Sequence, residues 1–135
     1  MPLYEVSPAY LPQVWPKAAP LLQKAIDVEP DDVTIEQVEY AVRTGRTFLL
    51  VWEEPDVGLT GAATVEFIDY PRARVAHIDL LGGQNVVWGD VFEELKNWMR
   101  ARGATKAQCW AKGKHVLLYE KMGMQNTHQV MRVTL

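Results

Sequence analysis

The stretch from Leu80 to Gly103 constrains this chain more than any other. An apolar, β-rich run, Ala73–Leu81, ends in Gly82-Gly83 and passes through a short polar loop, Gln84-Asn85. Beyond it Val91, Leu95, Trp98 and Met99 recur at helical spacing within Trp88–Arg102. Glu93, Glu94, Lys96 and Arg100 take the opposite face, as in a helix half sunk in a core. Gly103 is placed to end that helix. A strand, a backbone-exposing turn and a helix N-terminus, in that order, can present N–H groups to a phosphate-bearing ligand.

The flanking sequence supplies the rest of an α/β pattern. Pro2–Val6 alternates as a short strand, and Ser7-Pro8 reads as an N-cap followed by proline at the first helical position. Leu11, Val14, Trp15, Ala18, Leu22, Ala25 and Ile26 mark one helical face. Pro12, Pro16 and Pro20 interrupt it, and the spacing predicts a kink or break near Pro16 and Pro20. Thr34 and Gln37 have capping-box spacing ahead of Ile35, Val38, Ala41 and Val42, a helix stopped at Gly45. Thr47–Glu53, Gly61–Tyr70 and Ala73–Leu81 read as strands, the last two joined so tightly by Pro71-Arg72 that they should run antiparallel. Thr105–Ala111 is a strand, His115–Met122 a short helix stopped by Gly123, and Gln125–Leu135 alternates as a final strand. The order β-α-α-β-β-β-α-β-α-β implies a mixed sheet with helices on both faces, in one domain spanning residues 1–135.

Composition narrows the partners. The net charge is −3 and no basic run occurs, which argues against a dedicated nucleic-acid surface. Cys109 is the only cysteine, so neither an internal disulfide nor a cysteine zinc site can form, and a reducing compartment such as the cytoplasm fits. No secretory signal and no membrane-length apolar stretch is expected. His77, His115 and His128 lack ligand spacing, so no metal is expected.

The segment Leu118-Tyr119-Glu120-Lys121-Met122-Gly123-Met124 resembles the aromatic-Tyr-Glu-Lys-x-Gly-Phe pattern that closes the GCN5-related N-acetyltransferases. The predicted element order resembles that family's fold across nearly the whole chain. Gln84–Gly89 stands where the family carries Gln/Arg-x-x-Gly-x-Gly/Ala, whose backbone N–H groups hold the coenzyme A pyrophosphate. Gln84 and Gly89 match, whereas Val87 replaces the central glycine and resists close backbone approach. Lys112 stands at an asparagine position and His115 at an alanine position. Overall texture is also similar to acetyltransferase-like proteins of tailed phages, through Leu80–Gly83, Glu93–Trp98 and Val14–Pro20.

The resemblance implies acetyl-CoA as cosubstrate and a small-molecule or protein amine as acceptor. Leu80, Leu81, Gly82, Gly83, Gln84, Val87 and Gly89 would line the coenzyme, with a backbone N–H near Leu80 or Leu81 polarising the thioester carbonyl. Tyr119 would protonate the departing thiolate. The residues themselves place Asp79 and Glu66 on adjacent strands as candidate proton acceptors, with His77 on the same face as Asp79. The resemblance also implies a sheet splayed between Ala73–Leu81 and Thr105–Ala111 to admit the pantetheine arm. The rival reading is a non-catalytic structural or interaction protein of a phage particle, in contact with other virion proteins, that keeps the fold without the cofactor.

Overall fold

The computed structural model of the chain describes residues 3–83 and 88–135. Gln84 and Val87 therefore lie outside the described residues. Five strands, β1 (Leu3–Glu5), β2 (Phe48–Glu54), β3 (Gly58–Tyr70), β4 (Ala73–Gly83) and β5 (Lys106–Cys109), form one sheet in sequence order. β1 to β4 are antiparallel neighbours, and β5 joins β4 in parallel. The helices are α1 (Leu11–Ile26), α2 (Ile35–Arg43), α3 (Trp88–Ala101) and α4 (Lys114–Lys121).

Alternation along β2 divides the core. Leu49 and Val51 face α1 and α2, packing with Leu22, Ile26, Val38 and Val42. Leu50 faces the other way, among Val65, Ala76, Ile78, Phe92, Leu95 and Met99 of the α3 side. The sheet thus has a helical layer on each face, as the element order predicts.

The helix boundaries follow from backbone hydrogen-bond satisfaction. Thr34 and Gln37 form the expected capping box, with Gln37 N–H donating to Thr34 Oγ1 at 3.2 Å and Thr34 N–H to Gln37 Oε1 at 2.9 Å. At the other end of α4, Met124 N–H donates to the Tyr119 carbonyl and Gly123 N–H to that of Glu120. That is a Schellman closure, and it requires the φ of +93° that Gly123 adopts. The Lys-x-Gly part of the closing pattern is therefore a helix stop that returns Met124 to the core, where Met122 and Met124 pack on the α3 side.

Three expectations about α1 and the C-terminal segment are corrected. α1 runs through Pro16 and Pro20 without a break. Pro8, Pro12, Pro16 and Pro20 are spaced four apart and all exposed, so the N–H missing at Pro12, Pro16 and Pro20 would have met the carbonyl of the preceding proline. These carbonyls fall on one exposed stripe of the helix, open to water, and that of Pro8 accepts from Leu11 N–H instead. Ser7 does not cap α1: Ser7–Tyr10 is a turn, closed by Tyr10 N–H on the Ser7 carbonyl at 3.0 Å, and the helix starts at Leu11. Gln125–Leu135 is not a strand. Instead Arg132 carries that segment to the α1–α2 loop, donating to both Asp32 carboxylate oxygens at 2.7 and 3.1 Å. Alternation alone does not make a strand where no ladder partner takes it up.

Candidate functional site

The site is built where β4 stops matching its neighbours. Val65 pairs with Ile78, but Thr64 pairs with Leu80, so Asp79 is an extra residue in β4. Such a β-bulge bends the strand and re-aims its side chains. On the other edge, the parallel ladder with β5 covers Val75–Ile78 against Lys106–Cys109 and ends there. Beyond the bulge, Leu80, Leu81, Gly82 and Gly83 remain paired to β3 through Thr64, Ala63, Ala62 and Gly61. None of the four has a β5 partner among the described residues. In an antiparallel ladder alternate residues turn their N–H and C=O groups away from the partner strand. Leu80–Gly83 therefore keeps alternate backbone groups on the edge where the β4–β5 ladder has ended.

The candidate proton acceptors meet at the bulge. Glu66 is the cross-strand partner of His77, and His77 is the register partner of Gln108 on β5. His77 is 6% exposed. Its Nε2 lies 3.5 Å from Asp79 Oδ1, and its Nδ1 lies 3.0 Å from Gln108 Nε2. The Trp110 ring meets it edge to face, with centroids 5.3 Å apart. Burial lowers the His77 pKa, and the Glu66 charge opposes that shift. Burial, with the Glu66 charge adding to it, pushes the Asp79 carboxyl up to about 7, while Arg46 opposes. Asp79, Glu66 and His77 thus form one electrostatic unit. Gln108 and Trp110 were not singled out as site residues from sequence, although alternation with Ala107 and Cys109 places Gln108 on its own face of the strand.

Tyr119 sits half-buried in α4. Burial, and after it the neighbouring Cys109, push its phenol up to about 12. The Cys109 thiol is itself pushed up to about 11 by burial, so it is a protonated, inert group at neutral pH. Cys109 and Gln108 are consecutive on β5. Tyr119 is therefore associated with the strand position next to the one that meets His77. His115 lies one turn before Tyr119 in the same helix, with ring centroids 6.5 Å apart. Lys112, at the entry to α4, extends instead to the α1–α2 loop, 2.6 Å from Glu29 Oε2.

The glycines expected to serve a ligand differ in what surrounds them. A Cβ at Gly82 would collide with the Leu21 backbone of α1, so this glycine is required for helix-on-strand packing. A Cβ at Gly89, in the first turn of α3, would meet no atom within 4 Å. No packing constraint among the described residues accounts for glycine there. Among the described residues, no cluster of three or more His, Cys, Asp or Glu could hold a metal ion, and no helix is long and apolar enough to cross a membrane.

No family model and no curated protein matches this sequence. Solved structures do match, over essentially the whole chain. A tetramutant of the BH1408 protein from Bacillus halodurans aligns with a TM-score of 0.73 at 14% identity, covering 100% of both chains. Glucosamine-6-phosphate N-acetyltransferase from Arabidopsis thaliana aligns at 0.68 and 16%, covering 98% of this chain and 97% of that one. A predicted acetyltransferase from Clostridium acetobutylicum, solved with acetyl-CoA, aligns at 0.69 and 14%, covering 98% and 95%. The fold is that of the GCN5-related N-acetyltransferases. At these identities the likeness is one of fold. The matches give the phage and virion part of the resemblance no support.

Proposed function

We propose that the chain is an acetyl-CoA-dependent N-acetyltransferase. The observation that carries this reading is Asp79: a partly exposed carboxyl on the extra residue of the bulge, 3.5 Å from the buried His77, where the β4–β5 ladder ends in an acetyltransferase fold, with its pKa raised by desolvation. A general base works best with a pKa close to the operating pH. Of the two candidate carboxylates Asp79 takes the base role, and Glu66 acts on it as the neighbouring like charge that keeps its proton affinity high.

The residues that would hold acetyl-CoA are the unpaired edge of Leu80–Gly83 and the first turn of α3 at Gly89, with Gln84 and Val87 between them in the sequence. The bound thioester supplies the activated acetyl group. Asp79 accepts the proton of the acceptor amine, directly or through one water, as its nitrogen bonds to the acetyl carbon. A backbone N–H at Leu80 or Leu81 draws charge onto the carbonyl oxygen. The C–S bond breaks, and Tyr119 returns a proton to the sulfur. The acceptor is a primary amine on a small molecule or a protein.

Calorimetric titration with acetyl-CoA, followed by thiol release across a panel of amines, tests this. Saturable binding and amine-dependent thiol release are expected, and Val87→Gly should leave the affinity equal or improved. A folded protein that shows neither binding nor release, before or after that change, would reject the enzyme reading in favour of a non-catalytic domain.

A further inference from the structure

His77 is buried within the sheet with a polar contact on each ring nitrogen, an arrangement that bulk packing alone does not require. A neutral imidazole carries one N–H and one lone pair, and the partner of one nitrogen decides the state of the other. Gln108 Nε2 is a donor, and it stands 3.0 Å from His77 Nδ1. With the amide so oriented that nitrogen is the acceptor, and the carboxylate oxygen facing the other nitrogen independently favours the ring proton on Nε2. Nε2 is the nitrogen that faces Asp79 Oδ1 at 3.5 Å. Trp110, packed edge to face on the ring, restricts its rotation.

We propose that Gln108 and His77 are a positioning pair for Asp79: the Gln108 amide fixes the His77 tautomer, and the Nε2–H so defined is held toward the Asp79 carboxylate. The catalytic consequence rests on Asp79 being the proton acceptor, whereas the hydrogen-bond order itself does not. At 3.5 Å the N–H acts on the carboxylate as an oriented dipole, and a contraction of roughly half an ångström brings it into full hydrogen-bond range. The donor favours the charged carboxylate over the protonated acid. It therefore opposes burial and the Glu66 charge, and acts in the same direction as Arg46. Glu66 faces His77 across β3 and β4, and its charge favours a proton on the ring, while burial keeps the ring neutral. The four groups together leave Asp79 able to exchange a proton near neutral pH without His77 itself changing charge.

The test needs no substrate. Long-range 15N–1H correlation spectra of the labelled protein report which His77 nitrogen carries the proton, and Nε2–H is expected. Gln108→Met removes the donor without adding charge. The ring should then populate the Nδ1–H tautomer, and the 13C titration of the Asp79 carboxyl should move up by about 0.5–1 pH unit, roughly three- to tenfold in proton affinity. If the protein is active, the acidic limb of kcat/KM should move by the same amount. A wild-type Nδ1–H tautomer would overturn the proposal, and this measurement stands even if the variant does not fold. An Asp79 titration unmoved in a folded Gln108→Met protein would overturn it as well. A protein that shows the tautomer and the shift but neither binds acetyl-CoA nor releases thiol keeps the positioning pair and loses only the acetyl-transfer reading.

Discussion

The backbone of Leu21 occupies the space that a side chain on Gly82 would need, so α1 rests directly on the far end of β4. The helix packs there against the part of the strand that β5 has left, and the glycine is what permits the approach. Gly82→Ala should destabilise the protein by about 1–3 kcal/mol or more, because the clash is with backbone, which cannot rotate aside. Thermal unfolding of the variant measures this, and an unchanged melting temperature would show that α1 does not bear on Gly82.

Gly89 should behave in the opposite way. An added methyl meets open space, and alanine is a better helix former by up to about 1 kcal/mol. Gly89→Ala should therefore leave the melting temperature equal or higher. If the glycine serves close approach of a phosphate to the backbone, coenzyme A affinity falls in the same variant. Stability and affinity moving apart would locate the role of Gly89 in ligand binding, and an affinity unchanged from wild type would remove it from the site.

Asp79 links activity and stability to pH with opposite signs. Its carboxyl lies at about 7 in the folded chain, above its ordinary value of 3.8, chiefly through burial. As a base it works when ionised, so kcat/KM should rise with pH through about 7. A raised folded pKa means that the folded state holds the proton more tightly than the unfolded chain. The stability this confers is fully present below pH 3.8 and is lost as pH rises through about 7. Asp79→Asn should abolish the acidic limb of the rate profile, lower turnover by about 10²–10⁴-fold, and lose less stability than wild type between pH 5 and 9. Melting curves and rate profiles across that range check both signs.

Much of the framework was legible in the sequence because local rules and tertiary packing agree there. The α2 capping box, the glycine stops of α2, α3 and α4, and the amphipathic α3 each follow from a few neighbouring residues. The bulge at Asp79 was not legible, because it exists only in the register of β4 against β3. Gly82-Gly83 read as a turn after the strand, yet both belong to it: at Gly82 the missing side chain makes room for a helix. The proline stripe of α1 misled for a related reason. Each proline is unfavourable alone, but four-residue spacing puts the lost bonds on one exposed stripe of the helix. Within the site, the expected residues Asp79, Glu66 and His77 do converge. Gln108 acquires its partner only through the parallel β4–β5 register, which local sequence does not encode.

Tyr119 remains the sharpest test of the closing segment. The Schellman turn at Gly123 accounts for why that glycine and the following Met124 are needed, but it does not account for a phenol at position 119. Burial first, then the neighbouring Cys109, keep the hydroxyl protonated up to about pH 12. It is thus in the state a proton donor must occupy throughout the neutral range, and ionisation of Tyr119 should contribute no alkaline limb to the rate below about pH 10. Tyr119→Phe keeps the ring and removes only the donor. If the hydroxyl protonates the leaving thiolate, kcat should fall by about 10²–10⁴-fold with the melting curve unchanged. The loss should be largest for acceptors whose chemistry, not product release, limits turnover. Undiminished turnover in the variant would exclude Tyr119 as the acid. A marked loss of stability in a protein whose wild type shows no transfer would instead assign the residue to packing between α4 and β5.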